Sequence, residues 1–187
     1  MITVVSGLPR SGTSLMMQML DAGGMELFSD NIRQPDRSNP RGYCEFERVK
    51  SLNRDSSWLY ETEKSAVKIV AHWLHFLPPE FEYSIVFMER ELEEVIKSQD
   101  EMLKFAGRPA RKYNLDLIAN SYRRLIEVTK SWLSSQKNIN TIYINHHEVI
   151  TNPSHVAERI NKFLGNILND NQMPSVIDHA LYHQKIK

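Results

Sequence analysis

Short β-branched runs alternate along this chain with stretches whose apolar residues recur every three or four positions. Ile2 to Ser6 is a short run rich in β-branched residues, suited to a parallel strand buried on both faces. Thr13 to Ala22 carries Leu15, Met16, Met19 and Leu20 at helical spacing, and Gly23 with Gly24 predicts where that helix stops. Ala66 to Val70 and Tyr83 to Met88 repeat the strand pattern. Between Glu91 and Lys104 a charged helix is predicted, with Leu92, Val95, Ile96 and Met102 toward the sheet. A longer helix, opened near Asn114, aligns Leu117, Ile118, Ser121, Tyr122, Leu125, Val128 and Trp132 on one face. Asn140 to Asn145 reads as the last strand and Pro153 to Leu164 as the last helix, closed by Gly165.

Strands separated by helices imply a parallel sheet covered on both faces. The chain has 187 residues, 41% of them hydrophobic and 25% charged, which suits one core and a single domain over residues 1–187. Basic and acidic residues balance at 23 each, so no global field favours nucleic acid or an acidic membrane surface. No apolar run approaches the roughly 20 residues of a spanning helix, and the chain starts on a strand-like Met-Ile-Thr-Val-Val instead of a signal peptide. A cytoplasmic protein without membrane or nucleic-acid partners is expected. Cys44 is the lone cysteine, which excludes an internal disulfide and a cysteine metal cluster and predicts a packed or partly exposed thiol instead of a nucleophile.

Parallel sheets hold ligands at the carboxyl ends of their strands. Behind the first strand stands Ser6-Gly-Leu-Pro-Arg-Ser-Gly-Thr-Ser14, a phosphate-binding loop with its lysine missing. In G-x-x-x-x-G-K-[ST] the backbone amides cradle phosphates, the lysine reaches the outer ones and the hydroxyl holds magnesium. Gly7 and Gly12 keep that spacing, but Thr13 occupies the lysine position and Arg10 supplies the cation from inside the loop. Pro9, Arg10, Ser11, Gly12, Thr13 and Ser14 are therefore the expected anion-binding residues, aided by the positive end of the following helix. Fold and loop together predict a three-layer, P-loop-like α/β domain with a central parallel sheet flanked by helices.

After the third strand, Arg90 and Ser98 are spaced to reach one anion at the same sheet edge. Loop and pair together imply two separate phosphate sites, as a nucleoside with phosphoryl groups at both ends would need. The turn-rich segment 28–42, which includes Asn31 and Ser38, and the segment 105–113 are the expected sources of acceptor specificity.

Gly7 to Met16 with Met19-Leu-Asp-Ala22 resembles the 5′-phosphosulfate loop of sulfotransferases, most closely the tyrosylprotein variant in which arginine replaces lysine. Phe87-Met-Glu-Arg90 with Ser98 resembles the family's 3′-phosphate site, and Tyr143 to Glu148 with Pro153 to Gly165 its closing strand and helix. The resemblance runs in order over most of the chain. It implies transfer of a sulfuryl group from 3′-phosphoadenosine 5′-phosphosulfate (PAPS) to a hydroxyl or amine, with no metal. Arg10 would stabilise the leaving phosphate, and Lys68 matches a family strand lysine that could reach the same oxygens. The family's strand histidine, two residues beyond that lysine, is replaced by Val70. Counting from Arg10 as in the tyrosylprotein relatives reaches Asp30 as the general base, with Glu45 and His72 as other candidates. The late glycine- and lysine-rich loop of many members has no counterpart after Gly165, and Lys104, Arg108, Arg111 and Lys112 form a basic cluster that could substitute. No motif specifies the acceptor, small or macromolecular, or an oligomeric state. A P-loop kinase or nucleotidase and a non-catalytic nucleotide-binding protein remain open alternatives.

Overall fold

In a computed structural model of the chain, which describes residues 1–30, 32–37, 39–105, 107 and 114–178, five parallel strands form one sheet in the order β2-β3-β1-β4-β5. The strands are β1 (Ile2–Gly7), β2 (Glu26–Leu27), β3 (Ser65–Lys68), β4 (Tyr83–Glu89) and β5 (Ile139–Asn145). The helices are α1 (Thr13–Ala22), α2 (Leu92–Phe105), α3 (Leu115–Ser135), α4 (His146–Thr151) and α5 (Pro153–Phe163). Four strands and four helices match the hydrophobic pattern. The two-residue β2 is too short to leave a periodic signature, and it exists through its pairing with Ser65 and Ala66.

Alternation along the strands divides the core into two layers. Val5, Val86 and Met88 face Met16, Met17 and Leu20 of α1 and Val156 and Ile160 of α5. Ile2, Val4, Ile85 and Phe87 face the opposite way, against Trp58, Leu74 and Leu133. The sheet is thus sealed on both sides, which the continuous apolar runs required. The predicted three-layer architecture is what the chain adopts.

The long helix departs from its pattern. Asn114 caps α3 as expected, its side chain accepting from the Asp116 amide. Only Thr129 and Leu133 of α3 are buried, however, while Leu117 and Val128 are exposed. The helix touches the sheet layer mainly through its C-terminal turns, so its apolar stripe is longer than its contact. Among the described residues no helix is long and apolar enough to cross a membrane.

The register fixes the chemistry. Gly7 of β1 lies beside Met88, and Met88 beside Ile144, while Val5 lies beside Lys68. Residues just past these positions, the loop 8–12, Arg90 and His146, therefore share one edge of the sheet.

Candidate functional site

The loop after β1 is shaped by two glycines that nothing else could replace. Gly7 has φ +143°, and a Cβ there would sit 2.5 Å from Ser11 Oγ and 2.6 Å from the Met88 carbonyl. Gly12, at φ +98°, would bring a Cβ to 2.4 Å from His146 Cδ2. Between them Arg10 adopts a left-handed φ of 75°, a conformation non-glycine residues rarely hold without external support. That support is visible. Gln99 Nε2 donates to the Pro9 carbonyl at 2.9 Å, and Arg90 Nη1 donates to the Arg10 carbonyl at 3.1 Å.

Gly12 caps α1 without a side-chain hydrogen bond, so the first-turn amides of this ten-residue helix have no intrahelical acceptors. Ser14, in that first turn, meets Lys68, and both line one cleft with Arg10. Arg10 Nε donates to Ser98 Oγ at 3.0 Å, joining the two phosphate sites expected from the sequence into one surface. Arg90 Nε also pairs with Glu94 at 2.8 Å, with both side chains more than 90% buried. Ser11 Oγ is buried with no hydrogen-bond partner among the described residues.

Lys68, at the end of β3, is 4% exposed. Its Nζ donates to the Tyr43 carbonyl, to Ser14 Oγ at 3.3 Å and to Glu45 Oε1 at 3.4 Å. Burial lowers its pKa, and Glu45 offsets part of the effect. Arg10 is lowered in the same way by burial, against the raising influence of Tyr43 and with the further lowering influence of Arg90 and Arg33. Crowded, part-buried cations are stabilised by an anion placed among them, so the electrostatics favour an anionic ligand.

These groups line a cleft of about 690 Å³ that includes Pro9, Arg10, Gly12, Thr13, Ser14, Lys68, Arg90 and Ser98. Each belongs to the set predicted from sequence, and the fold brings them together. A second cleft of about 1020 Å³ adjoins the first, sharing Pro9, Glu45, Lys68 and Val70 with it. Glu45 stands at the junction, paired with Arg33 at 3.1 Å as well as with Lys68.

Asp30 is not brought to the site. It lines neither cleft, and its two oxygens accept from the Ile32 amide at 3.0 Å and from the Glu47 amide. An aspartate used in this way ties a turn and keeps its carboxylate turned toward backbone. His72 lines the second cleft only, and burial lowers its pKa. Cys44 is half-buried against the α1 layer, and burial raises its pKa. Lys104 is exposed, while Arg108, Arg111 and Lys112 lie outside the described residues, as do Asn31 and Ser38.

Sequence reasoning missed Gln99 and His146. Both are adjacent to flagged positions, Gln99 beside Ser98 and His146 directly after β5. The rule that strand ends carry function would have reached His146.

No family model and no curated protein matches the sequence. Solved structures do match. One is a sulfotransferase domain from the curacin biosynthetic pathway, with TM-score 0.55 and 15% identity over 99% of this chain and 80% of that one. Another is retinol dehydratase in complex with androsterone and the inactive cofactor PAP, with TM-score 0.57 and 19% identity over 95% of this chain and 63% of that one. A third is a mouse sulfotransferase complexed with PAP, with TM-score 0.52 and 16% identity over 94% of this chain and 61% of that one. The chain spans less than two thirds of the length of the last two. At these identities the likeness is one of fold, and the fold is that of the sulfotransferases. Nothing in it singles out the tyrosylprotein variant.

Proposed function

We propose that the chain is a sulfotransferase that binds PAPS in the first cleft and transfers its sulfuryl group to a hydroxyl or amine presented from the second. The observation that carries this reading is a single cleft lined by Arg10, Ser14, Lys68, Arg90 and Ser98 beside the start of α1. Such a cationic lining suits a donor phosphorylated at its 3′ and 5′ positions. The crystallised neighbours that hold PAP, the 3′,5′-diphosphoadenosine product of such a reaction, support the same donor.

In the reaction, the acceptor oxygen or nitrogen attacks sulfur as the bond from sulfur to the 5′-phosphate oxygen breaks. Negative charge grows on that phosphate oxygen, where Arg10, Lys68 and the amides at the start of α1 would stabilise it. The acceptor's proton needs a base within hydrogen-bond reach. Glu45 takes that role in preference to Asp30, because it stands between the clefts while Asp30 is committed to backbone amides. Ion pairs with Lys68 and Arg33 hold Glu45 in place.

A P-loop kinase or nucleotidase would share the sheet but relies on the loop lysine that Thr13 replaces. Calorimetric titration with PAP and with magnesium ATP separates the two. PAP binding without magnesium, followed by transfer from labelled PAPS, is expected; tight magnesium ATP binding with no response to PAP sinks the sulfotransferase reading. A non-catalytic nucleotide-binding protein would bind PAP and transfer nothing to any acceptor.

A further inference from the structure

Resting on that reading, we propose that Arg41 is a further donor-binding residue and that Asp178 is its internal competitor, a carboxylate on the C-terminal segment that holds Arg41 until a donor phosphate takes it. Both residues line the first cleft, outside the set predicted from sequence. Arginine and lysine side chains outnumber carboxylates seven to three in that lining. Of the three carboxylates, Glu45 pairs with Arg33 and Lys68 at the junction of the clefts, and Glu101 stands on α2. Asp178 comes from beyond the sheet and its helices.

The packing shows how the chain delivers Asp178. After α5, the Asn169 amide donates to the Gly23 carbonyl at 2.9 Å, just past the end of α1. Met173 is fully buried in the α1 layer, and Val176 and Ile177 pack against the same layer. The segment thus runs back along α1 toward the cleft, where Val176 and Asp178 join the lining.

Arg41 meets it there. Its Nη1 donates to the Val176 carbonyl, and its Nη2 pairs with Asp178 at 3.3 Å. Its backbone is tied to α1, since Gln18 Nε2 donates to the Arg41 carbonyl at 3.4 Å and Asn39 Nδ2, two residues earlier, donates to Ser14 Oγ at 3.1 Å. Gln18 lies one helical turn, about 5.4 Å, beyond Ser14, which brings an anion at Ser14 and Lys68 within reach of the Arg41 side chain. The other two arginines of the segment are held elsewhere. Arg33 lies 3.4 Å over the Tyr43 ring and pairs with Glu45, and Arg37 lies 5.6 Å over Phe105.

The pair is easily traded. Its side chains are 41% and 38% exposed, and an ion pair so open to water adds little to stability. A phosphate offers Arg41 the same two-pronged geometry as a carboxylate. While the pair persists, Asp178 withholds a cation from the donor and adds a like charge to the cleft. Because linkage is reciprocal, a bound donor loosens Asp178 as much as Asp178 weakens the donor. The same competition acts on PAP, so Asp178 recaptures Arg41 as product departs.

Calorimetric titration with PAP tests this on the unaltered chain, Asp178→Asn, Arg41→Ala and the double variant. Asp178→Asn is expected to tighten PAP binding about fivefold or more, and Arg41→Ala to weaken it about tenfold. Without Arg41 the gain from Asp178→Asn should vanish, the coupling that a double-mutant cycle isolates. A gain of the same size with and without Arg41 means that Asp178 acts only through the general field of the cleft, and it overturns the competition. So does a PAP affinity in Asp178→Asn equal to that of the unaltered chain. Both of those outcomes leave the donor site standing, whereas absence of PAP binding in the unaltered chain and every variant overturns the sulfotransferase reading as well.

Discussion

Gln99 reaches across from α2 to donate to the Pro9 carbonyl at 2.9 Å, and its own oxygen accepts from the Tyr122 hydroxyl at 2.6 Å. This links the long helix α3 to the backbone just ahead of Arg10, where φ is left-handed. Gln99 is 2% exposed, while Pro9 is exposed and Tyr122 half-buried. Gln99→Leu should lose about 1–3 kcal/mol of stability through the two lost hydrogen bonds and weaken PAP binding. Tyr122→Phe should lose about 0.5–1.5 kcal/mol and disturb binding less. Urea midpoints and calorimetry on both variants check this, and unchanged PAP affinity in Gln99→Leu would show that the loop holds its shape without the contact.

Arg10 joins the two ends of the cleft through Ser98. Arg10→Ala should abolish measurable transfer and weaken PAP binding by about 1.5–3 kcal/mol, the worth of a charged hydrogen bond. Arg10→Lys keeps the charge without the planar fork and should recover only part of that loss. A PAP affinity equal to that of the unaltered chain in Arg10→Ala would remove the residue from the donor site.

Glu45, the proposed base, and Asp30, which ties a turn, offer a direct contrast. Glu45→Gln should lower kcat by about 10²–10⁴ with little change in PAP affinity. Asp30→Asn, which loses one acceptor for backbone amides, should cost stability with a much smaller effect on turnover. Rate and melting measurements on both variants decide, and the reverse pattern would restore Asp30 as the base.

His146 should shape the acid limb of stability. Burial, followed by the influence of Arg90, pushes its pKa down to about 3 from 6.5, with Glu94 opposing and His147 adding to the fall. Between those values the unfolded chain binds a proton that the folded chain refuses, so stability rises with pH across the window and is lost as pH falls through it. His146→Asn should flatten the urea midpoint between pH 7 and pH 5 relative to the unaltered chain. Equal slopes would mean that His146 titrates normally in the fold.

Gly12 faces His146 so closely that two separate effects can be told apart. Gly12→Ala should destabilise through both the clash with His146 Cδ2 and the left-handed φ. Adding His146→Ala relieves only the clash, so the double variant should recover part of the loss in a double-mutant cycle. Full recovery would mean that φ carries no strain.

What was legible in the sequence was local. The apolar runs of β1, β3, β4 and β5 and the donor loop depend on neighbours in the chain, and Arg90 and Ser98 follow from helix geometry at a strand end. Glu45 and Asp30 depend on the path of an irregular segment, where counting residues from Arg10 carries no distance information. The Asp30 carboxylate is held by amides at positions 32 and 47, the second of them far beyond any turn that local pattern could suggest. The exposed face of α3 is a related case, since periodicity reports an apolar stripe without saying how much of it finds a partner.

The Tyr43 carbonyl accepts from both Ser14 and Lys68, and Asn39 Nδ2 also donates to the Ser14 hydroxyl at 3.1 Å. A phosphosulfate held by Ser14 and Lys68 would arrive at groups that already have acceptors. Donor capture is then a swap of oxygens, with little net gain in hydrogen bonds.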